Sequence, residues 1–256
     1  NQKEADKILT EMSERLSLLS DQQLNERLEL SLITGIVAYL NENYALAGTE
    51  FTRYLSERDA SPELLGMLID SLLKVGYFKD AIKVLEKHED VIASDLTVSS
   101  LSCDLYISLN RSFKCESLLQ KLQANFPEST GLNIIQAKLA LDKNDTQKAL
   151  ALLEEGELAN STDTQVLLLK ASVLSADSKF SKARQYIDKL MQQQPDNVDY
   201  QLLLADNMIR LGNRNDASAI VKKVLKTNPE SVSALTSTAR IAFAEGRLAE
   251  AEKAIG

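Results

Sequence analysis

The residues able to do chemistry are few, and their spacing does not assemble a reaction centre. His88 is the only histidine of the chain. It is followed by Glu89 and Asp90, which make no HExxH arrangement, and there is no second histidine to share a metal. The acidic neighbours Glu154 and Glu155, like Glu89 and Asp90, are adjacent in sequence. On a helix such neighbours diverge, so they do not face each other as a general acid and base. There is no glycine-rich phosphate loop and no GxSxG elbow. The reading is therefore no catalytic residue, no cofactor, no metal and no enzyme. Three glycosylation-type triplets occur, Asn110-Arg111-Ser112, Asn144-Asp145-Thr146 and Asn160-Ser161-Thr162. In the first two, Asn suits a turn and Ser or Thr suits a helix start, which explains them without a sugar.

Composition narrows the setting. Only 4 Pro and 9 Gly stand in 256 residues, too few for a β-rich chain with many turns, and good helix formers dominate. The chain reads as all-α. A formal net charge of -8 argues against nucleic acid, whose phosphates need a surplus of Lys and Arg, and is compatible with a protein partner. The most apolar stretch, Leu30 to Leu40, is too short for a membrane span and is interrupted by Ser31, Thr34 and Gly35.

What positions these residues is a repeat. Pro127, Pro195 and Pro229 are spaced by 68 and 34 residues. The same period of 34 links Ala47, Ala81, Cys115, Ala149, Ala183, Ala217 and Ala251. A second series lies twelve residues upstream: Gly35, Ile69, Cys103, Ala137, Ala171, Ala205 and Ala239. A third, Gly76, Asn110, Asn144, Ser178, Gly212 and Gly246, marks a turn, because Gly and Asn tolerate the left-handed conformation that ends a helix. Each repeat is then helix A, short turn, helix B. Small residues let the two backbones approach, and proline closes the repeat.

Cys103 and Cys115 occupy the two small positions of one repeat, where helices A and B come closest. Their Cα atoms should fall within the roughly 4.4–6.8 Å that a disulfide accepts. Two readings stay open: a pair of buried thiols in place of Ala, or a disulfide that implies an oxidising compartment such as the periplasm.

The spacing resembles the tetratricopeptide repeat family over residues 28 to 256. That family has small residues at the eighth and twentieth places of a 34-residue unit and often Pro at the thirty-second. Leu211-Gly212-Asn213-Arg214-Asn215-Asp216-Ala217 and Glu245-Gly246-Arg247-Leu248-Ala249-Glu250-Ala251 are good local matches. The family's Trp is missing throughout, its aromatic at the eleventh place survives only as Tyr106, and Asp59 and Ala93 stand where proline would close the first two repeats. The resemblance implies a right-handed superhelical solenoid of antiparallel helix hairpins, here a single domain. Its repeats would run 28–61, 62–95, 96–129, 130–163, 164–197, 198–231 and a truncated 232–256. Residues 1–27 read as helix B of a preceding repeat plus a link through Ser20 and Asp21, with Asp21 capping the next helix.

The resemblance also implies a concave groove lined by helices A, which binds a peptide or helix of a partner protein. Carried over place by place, the groove residues are Leu32, Ile36, Tyr39, Asp70, Leu73, Asp104, Ile107, Ile134, Lys138, Leu141, Leu168, Asp206, Ile209 and Arg240. The apolar members serve either ligand binding or superhelix packing. The sixth place holds Ile33, Met67, Leu101, Ile135, Leu169, Leu203 and Ser237, which excludes the basic clamp of chaperone-binding members. The even repeats resemble long bacterial arrays, including those serving exopolysaccharide or pilus export in the periplasm. The alternative is a structural spacer, or a module that forms homo-oligomers through its exposed ends.

Overall fold

The computed structural model describes residues 2–255, and these are helical, with no strand among them. The helices are α1 (Gln2–Leu16), α2 (Asp21–Glu26), α3 (Leu28–Leu40), α4 (Tyr44–Tyr54), α5 (Pro62–Lys74), α6 (Phe78–Lys87), α7 (Glu89–Ile92), α8 (Leu96–Ser108), α9 (Ser112–Asn125), α10 (Gly131–Asp142), α11 (Thr146–Leu153), α12 (Thr164–Ala176), α13 (Phe180–Gln193), α14 (Val198–Arg210), α15 (Arg214–Thr227), α16 (Val232–Ala244) and α17 (Leu248–Ile255), with a 3-10 turn at Gly156–Asn160. The chain forms two compact units, residues 1–128 and 129–256. In each, A and B helices pair as hairpins and each hairpin packs on the next.

The hairpins start where short polar side chains satisfy the free amides of a helix start. Ser61, Asp95, Asp163, Asn197 and Ser231 accept from backbone N–H groups at the head of α5, α8, α12, α14 and α16. Helix A ends at the turn series, where Gly76, Asn110, Asn144, Ser178, Gly212 and Gly246 all have positive φ. Glu42 stands one period before Gly76 and has a φ of 59°, so the first hairpin turns the same way without Gly or Asn. Side-chain identity hid this member of the series.

Both small-residue series are buried at the A–B crossings. The crossing of α3 and α4 is tight enough that a Cβ at Gly35 would lie 2.6 Å from the Phe51 ring. Large apolar residues fill the space beyond the crossing. Phe51, Leu85, Leu122, Leu153, Ile187 and Val221 are almost completely enclosed.

Two local expectations are corrected. Asp21 does not cap a helix. Ser20 does, as a capping box: its Oγ accepts from the Gln23 amide while its own N–H donates to Gln23 Oε1. Residues 21–26 form the short helix α2 rather than a link, and the Asp21 carboxylate pairs with Arg53 at 2.7 Å. The second repeat also lacks one continuous helix B. It breaks at His88, where α6 ends and the single turn α7 begins.

Candidate interaction surface

The fourteen residues expected to line a groove lie on A helices. Asp104 is exposed and the other thirteen are partly exposed. In the N-terminal unit they stand on α3, α5 and α8. The Tyr39 hydroxyl donates to Asp70 Oδ2 at 2.9 Å, joining adjacent A helices. Tyr39 also meets Tyr44 edge to face, with ring centroids 5.7 Å apart, and Lys74 Nζ lies 5.9 Å from the Tyr44 ring. Burial, then the bond to Asp70 and its charge, push the Tyr39 phenol up to about 12. Leu73 on α5 and Ile107 on α8, one period apart, remain half-exposed.

In the C-terminal unit the set stands on α10, α12, α14 and α16. Asp206 and Arg240, one period apart, form an ion pair between neighbouring A helices. Ile209 and Arg240 line an open cavity of about 470 Å³ with Arg210, Thr236 and the exposed Phe243. Ile134 and Leu141 lean on the cluster around Ala137, Ala149 and Val173. Leu168 leans on the cluster of Leu167, Leu190 and Tyr200. The apolar stripe is thus part core and part surface, and two of its charged neighbours are spent on each other.

The two cysteines are joined in the structure. Cys103 on α8 and Cys115 on α9 form a disulfide with Cα atoms 4.9 Å apart, both fully buried. His88 is half-buried between α6 and α7, and burial followed by the neighbouring Lys87 charge pulls its pKa below the ordinary value. No cluster of His, Cys, Asp or Glu able to hold a metal stands among the described residues. No helix of the described residues is long and apolar enough to cross a membrane.

Sequence reasoning missed Lys170. It sits on α12 with 1% exposure, and its ammonium donates to the carbonyls of Leu158 at 2.6 Å and Ala159 at 2.9 Å. It also faces the Tyr186 ring at 5.6 Å. Burial lowers its pKa, which the Glu154 charge opposes and the Lys189 charge assists. The available signal was register. The same place two repeats earlier holds Ser102, and three repeats earlier Leu68, both buried.

A-helix and B-helix hairpins turning at a 34-residue period give the chain the fold of a tetratricopeptide-repeat solenoid. Residues 174–237 match the family model described as tetratricopeptide repeat. The chain is 24% identical over 247 residues to the cellulose synthase operon protein C of Pseudomonas fluorescens strain SBW25, covering 91% of this chain and 19% of that protein. It therefore spans about a fifth of that relative's length. The solved tetratricopeptide repeat protein of Parabacteroides merdae superposes with a TM-score of 0.59 at 16% identity, over 89% of this chain and 91% of that one. PilW, described as a type IV pilus biogenesis factor, superposes with a TM-score of 0.57 at 16% identity, over 77% of this chain and 91% of that one. These likenesses establish the fold.

Proposed function

We propose that the chain is a protein-interaction scaffold whose A-helix surface takes an extended peptide or an amphipathic helix of a partner protein. The observation that carries this reading is the apolar stripe left partly open on the A helices, with Leu73 and Ile107 in one unit and Ile209 and Phe243 in the other. Half-exposed apolar side chains in a row are covered at a gain of apolar burial. We assign it to an envelope or export assembly of a bacterium, in the exopolysaccharide or pilus setting that its relatives' names suggest. The Cys103–Cys115 disulfide favours an oxidising compartment such as the periplasm.

One observation favours a second reading, a structural spacer that binds nothing along the A helices. Tyr39 bonds to Asp70, and Asp206 pairs with Arg240 by charge, across adjacent repeats. A pull-down from the source cells with wild type and Asp104→Arg/Ile107→Asp side by side separates the two. Loss of a captured partner in the folded double variant supports the scaffold. Identical capture by both, or capture by neither, favours the spacer.

A further inference from the structure

A carboxylate lies buried where the repeat elsewhere holds an apolar side chain. Glu50 on α4 is 2% exposed. The same place in the five following repeats holds Val84, Leu118, Leu152, Tyr186 and Ile220. Burying a carboxylate is costly unless its oxygens are bonded. Glu50 Oε2 accepts from Arg53 at 2.9 Å, and Oε1 has no donor among the described residues. Arg53 also bonds the Asp21 carboxylate at 2.7 Å, so one guanidinium serves two carboxylates.

A second polar group is left without a partner. Thr34 on α3 is buried, and its Oγ1 makes no hydrogen bond among the described residues. Ser102 and Thr238 stand at the same place two and six repeats on. Each returns its hydroxyl to the carbonyl four residues earlier, at 2.7 and 3.0 Å. Thr34 makes no such bond. Buried polar groups left in this way are uncommon and call for an explanation.

Both residues line one cavity of about 490 Å³ bounded by α1, α2, α3 and α4. That is a size at which pockets hold small ligands. Leu16, Leu24 and Val37 give it apolar walls, and the exposed Asp21 also lines it. No Lys or Arg is among the lining residues. The walls thus carry two carboxylates, and Arg53, which stands outside the cavity, balances one of them. The surrounding unit reinforces this sign: residues 1–128 carry 21 Asp and Glu against 13 Lys and Arg. Leu32, Ile36 and Tyr39 of α3 do not line the cavity, so it is separate from the A-helix surface.

We propose that this cavity binds an alkylammonium group, which donates to Glu50 Oε1 and Thr34 Oγ1 and lays its aliphatic stem against Leu16, Leu24 and Val37. An ammonium has three donors and no acceptor, which suits two oxygens that lack a donor. An anion would meet the carboxylates, and a bare metal ion would leave the apolar walls uncovered. The group comes from a free amine or from a lysine side chain of a partner.

The test is an NMR titration of the whole chain with n-pentylamine, with n-pentanol as its neutral counterpart, and with the capped tripeptide acetyl-Gly-Lys-Gly-amide. Pentylammonium should shift the signals of Leu24, Thr34 and Glu50 saturably, with half-saturation near about 1 mM. Pentanol should bind at least about tenfold more weakly. Glu50→Leu installs the residue type of Leu118 and Leu152, so it should fold, yet it should abolish the shifts. Thr34→Val keeps the shape and should weaken binding by about tenfold. Saturable shifts with the tripeptide assign the site to a partner's lysine, and shifts with pentylamine alone assign it to a free amine. Equal binding of pentanol, or unchanged binding in Glu50→Leu, overturns the proposal. So does the lack of any saturable shift at these signals up to about 10 mM pentylamine or tripeptide.

Discussion

Helix α8 in the N-terminal unit buries Ser99, Ser100 and Ser102 among Val98, Leu105 and Tyr106, whereas α12 in the C-terminal unit buries Val166, Leu167, Leu169, Val173 and Leu174. Both helices occupy the A position of a hairpin. The serines are not orphaned: Ser99 Oγ donates to the Ile92 carbonyl and Ser102 Oγ to the Val98 carbonyl, each at 2.7 Å. Such bonds remove a penalty but add little net stability compared with buried Val or Leu. The covalent bond falls in the same hairpin, between Cys103 and Cys115, at positions where the C-terminal unit has Ala137 with Ala149 and Ala171 with Ala183. Alanine therefore suffices for the crossing, and the disulfide adds a covalent tie to the hairpin whose A helix buries three serines. The C-terminal unit has its own exception, the buried Lys170 that ties down the Gly156–Asn160 turn.

The sharpest way to break this comparison is to remove the disulfide. The bond spans 12 residues of sequence, and in the chain-entropy account closing so short a loop contributes about 3 kcal/mol. Cys103→Ala/Cys115→Ala, which recreates the alanine pair of later repeats, should lose about that much. Reduction of the wild type should match it. Because repeats couple mainly to neighbours, hydrogen exchange should accelerate across α8 and α9 while α12 to α15 stay protected. A uniform loss of protection over both units would show that the disulfide is not a local staple.

The second prediction concerns Lys170. Lys170→Met keeps the length and apolar contacts but leaves the carbonyls of Leu158 and Ala159 without their donor, at a cost of about 2 kcal/mol. Exchange should rise at residues 156–160, with α8 and α9 unaffected. If Lys170→Met is neutral or stabilising in denaturant melts, desolvation of the ammonium outweighs its two bonds, and the turn is held by Leu158 packing alone.

A third change acts on the link between the first two A helices. Tyr39→Phe removes a hydrogen bond to a carboxylate and should cost about 1 kcal/mol at neutral pH. The folded phenol titrates at about 12 against an ordinary value of 10, so folding keeps a proton that the unfolded chain releases. The stabilisation is whole below pH 10 and is lost as pH rises through about 12. Tyr106, pushed up to about 12 chiefly by burial, adds to the same loss. Absorbance titration near 295 nm should find one fewer late-titrating tyrosine in Tyr39→Phe than in wild type. Ordinary titration of Tyr39 would mean that its bond to Asp70 is not kept in solution.

How far these features were legible depended on the kind of signal each left in the chain. The small-residue series and the turns were legible because sterics admit few residue types there, so Ala47 to Ala251 and Gly76 to Gly246 repeat in plain view. Facing small positions were enough to raise a Cys103–Cys115 bond. The pairing of Tyr39 with Asp70 and of Asp206 with Arg240 was not legible, because several residue types serve equally at half-exposed places. Lys170 was hidden for a different reason. Its partners are carbonyls of the 3-10 turn that follows the short α11, and backbone atoms leave no trace in side-chain pattern.

The turn at Glu42 gives the smallest effect and the cleanest control on that argument. Gly76, Gly212 and Gly246 adopt positive φ without strain, but Glu42 reaches the same region, at 59°, carrying a Cβ. Its side chain is exposed, so replacement removes no buried contact. Glu42→Gly should relieve backbone strain and reduce the acidity of the N-terminal unit. Against this stands the larger chain entropy that glycine brings to the unfolded state. The net gain should be about 0.5 kcal/mol or a little more. Glu42→Ala separates the two contributions: it removes the charge but keeps the Cβ. If Ala stabilises as much as Gly, the gain is electrostatic and should vanish in high salt. If only Gly stabilises, backbone geometry at the 34-residue turn sets the preference, and the sequence series is a record of strain avoided.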